Sequence, residues 1–320
     1  MSLSANIAAL LIAILLFNAG RCCNVDGLFA SIKNWRPIFI ALALNLCVMP
    51  VLALALITLF RPSEPFSLAM IILACSPVAP VVSAIATGAR LDGHLAVVIV
   101  LLFSVIAPVS APLILHLALE WADLPPFASV DSLRLAKQLL LVAVLPLFAG
   151  LLVARLLPAP GRRLERGINF SVNALAAGLL TMLVWQYADV MSDISTVHVG
   201  MFIVFTEIAL VSGYLAGGKS PSARRSVALC TGLQNAGLAV LIAALAYPDP
   251  RVTGFVLVLH VTQLLQVYLQ DKIGRDRLVT PSERARSDCV DDERQMQREM
   301  NSGLLREELR THPNLTQQGI

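Results

Sequence analysis

The sequence predicts an all-α polytopic membrane protein of about nine transmembrane helices, two of them interrupted near their middles. Three observations carry that prediction. The 320 residues are 57% hydrophobic and only 14% charged, with a mean hydropathy of +0.75, whereas a soluble domain has roughly 25% charged residues. The apolar residues gather into stretches close to the ~20 residues that a helix needs to cross ~30 Å of hydrocarbon. Two of those stretches are broken at matching places in the two halves of the chain, by Ser76-Pro77-Val78-Ala79-Pro80 and by Thr231-Gly232-Leu233-Gln234-Asn235-Ala236-Gly237.

The spans are read at about 4–20, 37–60, 66–88, 93–118, 134–156, 168–188, 196–217, 223–246 and 251–271. The first has the apolar core of a secretory signal but no basic n-region; Arg21, Lys33 and Arg36 follow it instead, so it reads as a true span. The second carries Asn45 shortly before Pro50, and the third contains the first break. The sixth ends near Trp185 and Tyr187, at the depth where interfacial aromatics anchor a helix. Glu207 lies near the centre of the seventh, the eighth holds the second break, and the ninth carries His260, Gln263, Gln266 and Gln270.

Loop charge sets the expected orientation. The loops after spans one, three, five and seven carry Arg21, Lys33 and Arg36, then Arg90, then Arg155, Arg162, Arg163 and Arg166, then Lys219, Arg224 and Arg225. The alternate loops hold only Arg61, Arg134, Lys137 and Arg251 among many carboxylates, including Glu64, Asp131 and Asp249. The basic bias places the N-terminus outside and the C-terminus in the cytoplasm. Residues 1–272 therefore read as the transmembrane domain. Residues 273–320, where charges of both signs alternate, read as a cytoplasmic tail, disordered or partly helical around 288–310.

Other functional classes find no support. The six cysteines (Cys22, Cys23, Cys47, Cys75, Cys230 and Cys289) have neither zinc-type spacing nor the look of a disulfide framework. There is no phosphate-binding loop and no exposed Ser/His/Asp or paired-carboxylate constellation, so no enzyme, ATP-driven pump, cofactor or nucleic-acid partner is expected.

The breaks are where chemistry concentrates. Pro77 and Pro80 lack N–H groups and free the carbonyls a turn earlier. Gly232 and Gly237 loosen the second break, and Gln234 and Asn235 set two carboxamides at membrane depth, where polar side chains face an interior. Interrupted helices in matching positions point to the binding site of a secondary transporter, with half-helix N-termini suited to an anionic group.

Leu229-Cys230-Thr231-Gly232-Leu233-Gln234-Asn235-Ala236-Gly237-Leu238-Ala239 resembles the signature of the bile acid:sodium symporter family, an acidic residue followed by a variable residue, Gly, an apolar residue, Gln-Asn and a small residue. Cys75-Ser76-Pro77, with Arg90-Leu91-Asp92 beginning thirteen residues after the proline, resembles that family's other broken helix and its loop. Asn45-Leu46-Cys47-Val48-Met49-Pro50 is similar to its Gln-containing segment before a helical proline. The resemblance spans about 4–272 and implies an inverted-repeat transporter fold, one outer helix short. Spans one, five and six would form a panel domain and the others a core in which the broken helices cross. Substrate would lie in the cleft between them, and transport would run by alternating access.

The resemblance also exposes departures. The family's shared acidic sodium ligand falls on Cys230, its Ser-Asn pair on Val82-Ser83, and two further hydroxyl ligands on Ala96 and Val100. A residual sodium site would comprise Asn45, Thr231, Leu233 and Gln234, without a carboxylate; hard cations want oxygen ligands and compensating charge. The expectation is a carrier of a small or amphipathic organic anion in the lipid of a bacterial cytoplasmic (inner) membrane, with sodium coupling weakened or replaced by protons. Asn45, Ser83, Thr231, Gln234 and Asn235 would form the polar cluster, the half-helices after Pro80 and near Asn235 would hold the anion, and Glu207 would carry the proton. His260 and Gln263 would line the same interior. Two alternatives stand beside it: a metalloid carrier using Cys75 and Cys230, soft ligands beside the two breaks, and a membrane solute sensor signalling through its tail.

Overall fold

The computed structural model describes residues 3–22, 35–88, 91–126, 132–156 and 162–278. Cys23, Lys33, Arg90, Asp131, Cys289 and the tail from 279 onward, with its 288–310 stretch, lie outside the described residues. In chain order the helices are α1 (Leu3–Arg21), α2 (Trp35–Phe60), α3 (Glu64–Ala74), α4 (Val81–Gly88), α5 (Gly93–Trp121), α6 (Ser132–Leu156), α7 (Arg162–Gln186), α8 (Thr196–Ala216), α9 (Pro221–Gly232), α10 (Ala236–Ala246) and α11 (Pro250–Leu278). No strand occurs among the described residues. The protein is an all-α polytopic membrane protein.

Among the described residues, eight spans are long and apolar enough to cross a membrane, with α9 and α10 together forming one of them. The expected span at 66–88 is the pair α3 and α4, each half too short to cross alone. The chain divides into two compact units, Met1–Val267 and Tyr268–Ile320, and both breaks belong to the first.

Local chemistry explains the helix ends. Ser63 precedes Glu64 and Pro65 in the first turn of α3, a favourable start for a helix whose N-terminus carries partial positive charge. Asp92 accepts a hydrogen bond from the Leu95 N–H at the start of α5, and Ser220 accepts one from Ala223 at the start of α9. α8 opens with a reciprocal cap between Ser195 and His198. α2 is α-helical except for a π-turn over Leu44–Val48, where the Met49 N–H reaches Leu44 O. Pro50 has no N–H and its ring would crowd the carbonyl a turn earlier, so the helix widens just ahead of it.

Burial divides the spans into two kinds. Within the α9–α10 span 89% of the apolar window is buried inside the protein, against 11% for α7 and 22% for α6. A broken span tolerates its interruption only where protein or a polar cavity surrounds it, and this one is almost wholly enclosed. α6 and α7 present most of their apolar surface outward, as lipid-facing helices do, and Trp185 at the end of α7 is 83% exposed.

α1 packs against α6, α7 and α10. Its seam with α6 is a backbone contact. A Cβ on Gly20 would collide with the Leu147 carbonyl oxygen, and one on Gly150 with the Phe17 carbonyl oxygen. Small residues let membrane helices approach this closely and trade side-chain volume for dispersion contact along both backbones. α8 and α9 meet in the same way, with a Cβ on Gly213 falling 2.7 Å from Ala228 Cα. Gly150→Leu is therefore expected to pry α1 from α6, lowering both yield and the thermal midpoint of the purified protein. A midpoint equal to that of the unsubstituted protein would show the seam to be unimportant.

Candidate functional site

The two breaks meet, and each supplies what the other lacks. The Ala79 N–H donates to Leu233 O (2.9 Å), and the Asn235 N–H donates to Ser76 O (2.8 Å). These are backbone groups that proline and the helix interruptions strip of intrahelical partners. The broken helices are thus stitched by a two-bond backbone bridge. Around it, Ser76 Oγ donates to Ile72 O (2.8 Å), satisfying a carbonyl passed over when the Ser76 N–H turns to Leu73 O. Val78, between the prolines, has φ +40°, a left-handed conformation that a β-branched residue rarely adopts. Its neighbour's bond to Leu233 holds it there.

The second break carries the polar chain. Gln234 Nε2 donates to Thr231 O (2.8 Å), and Gln263 Nε2 donates to Gln234 Oε1. Gln263 Oε1 accepts the Gln234 backbone N–H (3.3 Å) and lies 3.4 Å from His260 Nδ1. Thr231, Gln234 and Gln263 are fully buried, and His260 is 5% exposed. In such surroundings a buried carboxamide with no partner would be costly. Here the two glutamines satisfy each other and tie α11 to the second break.

Other expected residues lie apart from that chain. Asn45 sits in the π-turn of α2, where Nδ2 donates to Ala41 O (2.9 Å) and Oδ1 is buried without a hydrogen-bond partner. Ser83 Oγ donates to Pro80 O (2.9 Å) on α4. Glu207 is half-buried on α8 and accepts a hydrogen bond from Gln266 Nε2 (2.6 Å), one turn beyond Gln263 on α11. Cys75 and Cys230 are buried free thiols.

A cavity of about 390 Å³ opens beside the crossing. One wall is α1 and α7, through residues such as Leu11, Leu15 and Asn173; the other is formed by both breaks and α11. Pro80 and Val81 at the start of α4, and Asn235, Ala236 and Gly237 at the start of α10, all line it, so both second half-helices open onto one space. Asn235 caps its own helix, Oδ1 accepting the Leu238 N–H (3.1 Å). The lining is mostly apolar; its polar side chains are Asn173, Asn235 and His260. Cys75, Cys230 and Glu207 do not contribute to it. Asn173 is a lining residue absent from the sequence-based expectation, although a carboxamide in mid-span is itself a signal.

The sequence model of the Sodium Bile acid symporter family matches residues 9–197. The chain belongs to that family. It is an integral membrane protein and a transporter of the bile-acid or organic-anion type. The matched region includes the first break, most of α1 and all of α7; the second break lies beyond it, joined to the first by the Ala79–Leu233 and Asn235–Ser76 hydrogen bonds. No curated protein matches this member of the family.

The Gln234–Gln263 pair gives a direct test of the crossing. Gln263→Leu would strand the Gln234 N–H and Oε1 in a dry interior, at about 1–3 kcal/mol for each group. A fall of roughly 5–10 °C in the thermal midpoint is expected. A change within about 1 °C would mean that these groups find other partners.

Proposed function

We propose that this protein is a secondary transporter that carries a small or amphipathic organic anion by alternating access, with α1, α6 and α7 rocking against the crossed-helix core. The observation that carries this reading is the cavity itself. Its two walls belong to the two helix groups, so any relative motion of those groups opens it, closes it or shifts its exposure. The half-helix starts at Pro80 and Asn235 direct partial positive charge at it, favouring an anionic end. The leucines of α1 and the alanines of α7 favour an apolar body. With Oδ1 of Asn235 engaged by Leu238, its amide NH₂ is the group left to donate to a ligand.

The family's sodium does not fit the residues left for it. Leu233 O accepts from Ala79, Thr231 O from Gln234, Gln234 Oε1 from Gln263, and Thr231 Oγ1 is turned to Val227 O (2.9 Å). Of that set only Asn45 Oδ1 lacks a protein partner, and Cys230 brings no fixed charge. A bare cation here would meet oxygens already committed and no carboxylate, so coupling passes to protons or is lost. Glu207 and His260 are the titratable groups on the spans beside the breaks that suit a proton. The membrane is proposed to be a bacterial cytoplasmic one, with the N-terminus outside and the chain beyond 273 forming a cytoplasmic tail.

Two experiments test this reading. Ala176→Trp on α7 fills the cavity from its far wall without touching the crossing. Reconstituted vesicles carrying it are expected to lose uptake of labelled taurocholate, while the thermal midpoint holds; uptake at the original rate would remove the cavity from the route. Separately, exchanging sodium for potassium at fixed ionic strength is expected to leave the midpoint unchanged, since a ligand that binds only the native state must stabilise it. Specific stabilisation by sodium would show that the residual site works without its carboxylate.

A further inference from the structure

The hydrogen-bond chain at the crossing has a defined polarity, and that polarity reaches the cavity. The Gln234 backbone N–H can only donate, so the Gln263 atom that it meets must be the oxygen. Gln263 Nε2 is then the donor to Gln234 Oε1, which in turn makes Gln234 Nε2 the donor to Thr231 O. Every link agrees with the one fixed by the backbone. The same logic extends to the histidine. His260 Nδ1 faces Gln263 Oε1, an acceptor, so Nδ1 carries the hydrogen. In the neutral ring Nε2 is therefore a bare lone pair. It makes no hydrogen bond among the described residues and is not among the buried unpartnered atoms, while His260 lines the cavity.

Building on the organic-anion reading, we infer that His260 Nε2 takes up a proton together with the transported anion and is the counter-charge that the anion meets in the cavity. The lining explains the need. Asn173 and Asn235 are neutral, the rest is apolar or backbone, and His260 is the one titratable side chain among the described lining residues. An anion entering so apolar a space must be neutralised there or excluded. The titratable groups on the surrounding elements are elsewhere in kind or place. Glu207 on α8 would repel an anion and is bonded to Gln266, two turns along α11 from His260. Cys75 and Cys230, at the ends of the first half-helices, bring no positive charge. α4, α10 and the cavity-lining stretches of α1 and α7 contribute no titratable side chain.

The proton balance is simple. One proton passes from the aqueous phase to which the cavity is open onto the Nε2 lone pair, giving an imidazolium; no bond in the substrate changes. A monoanion and its proton then cross as a neutral pair, and both leave on the far side. Protonation also makes the Nδ1–H bond to Gln263 charge-assisted. Gln263 is held at both ends of Gln234, which lies between the two residues bonded to the other break. Charge in the cavity is thereby felt at the crossing.

The test is nitrogen NMR of the full-length protein with labelled histidine, with and without taurocholate, whose sulfonate remains anionic throughout the titration. The chain has five histidines, and the signal missing in His260→Gln is the one to follow. Expected at pH ~8 is a ring protonated at Nδ1 and bare at Nε2, and taurocholate should raise the midpoint of Nε2 protonation by about one pH unit or more. A ring protonated at Nε2 in the neutral form overturns the inference. Taurocholate that raises the thermal midpoint of the protein but leaves the His260 titration in place also overturns it, while sparing the transporter reading. Neither effect at millimolar taurocholate counts against both.

Discussion

Two backbone hydrogen bonds hold this protein's working centre together. A helix interrupted in hydrocarbon leaves amides and carbonyls that water cannot reach, and each unsatisfied group costs several kcal/mol on the order expected for an apolar medium. Here the Ala79 and Asn235 amides meet Leu233 and Ser76 carbonyls, so each break is the other's solvent. Much of the remaining architecture serves that arrangement. The α9–α10 span is almost wholly enclosed, α11 brings Gln263 to the glutamine beside the bridge, and α1 packs on α10, α6 and α7.

The breaks were legible because their residues are poor helix formers in a context that otherwise allows little else. Pro77 with Pro80, and Gly232 before Gln234-Asn235, have no ordinary reason to sit in the middle of apolar stretches. The eight spans found among the described residues follow from length and hydropathy in the same way. What the sequence hid is pairing, because hydrogen-bond partners distant along the chain leave no periodic trace. That Ala79 would bond Leu233, or Gln266 would bond Glu207, is decided by packing. The π-turn holding Asn45 was half visible: Pro50 announces a disturbance, while its form depends on how α2 seats against its neighbours. Asn173 escaped notice because it lies far along the chain from both breaks, and only the cavity unites them.

The positions at which the family resemblance implies sodium ligands hold neutral groups in this structure. Cys230 is a small, buried free thiol where the family resemblance implies an acidic ligand, and beside it Thr231 O and Gln234 Oε1 accept from amide donors. Along the run from Thr231 through Gln234 and Gln263 each amide donor has an acceptor, and the histidine ring at its end lies at the cavity. Such a set is rigid and directional, since reversing one amide would set donor against donor along the chain.

The reciprocal bridge also constrains how the protein is made. The ribosome delivers Ser76 and Ala79 long before Leu233 and Asn235 exist, with α4 through α9 to be synthesised between them. At ~5–20 residues per second that gap is on the order of ten seconds. Throughout it, the Ala79 amide and the Ser76 carbonyl lack the partners that the finished fold gives them. Neither α3 nor α4 is long enough to settle across a bilayer by itself, so the first break must wait at the insertion machinery or in a hydrated niche. Assembly is therefore finished from the C-terminal side: the fold closes only when the second break arrives.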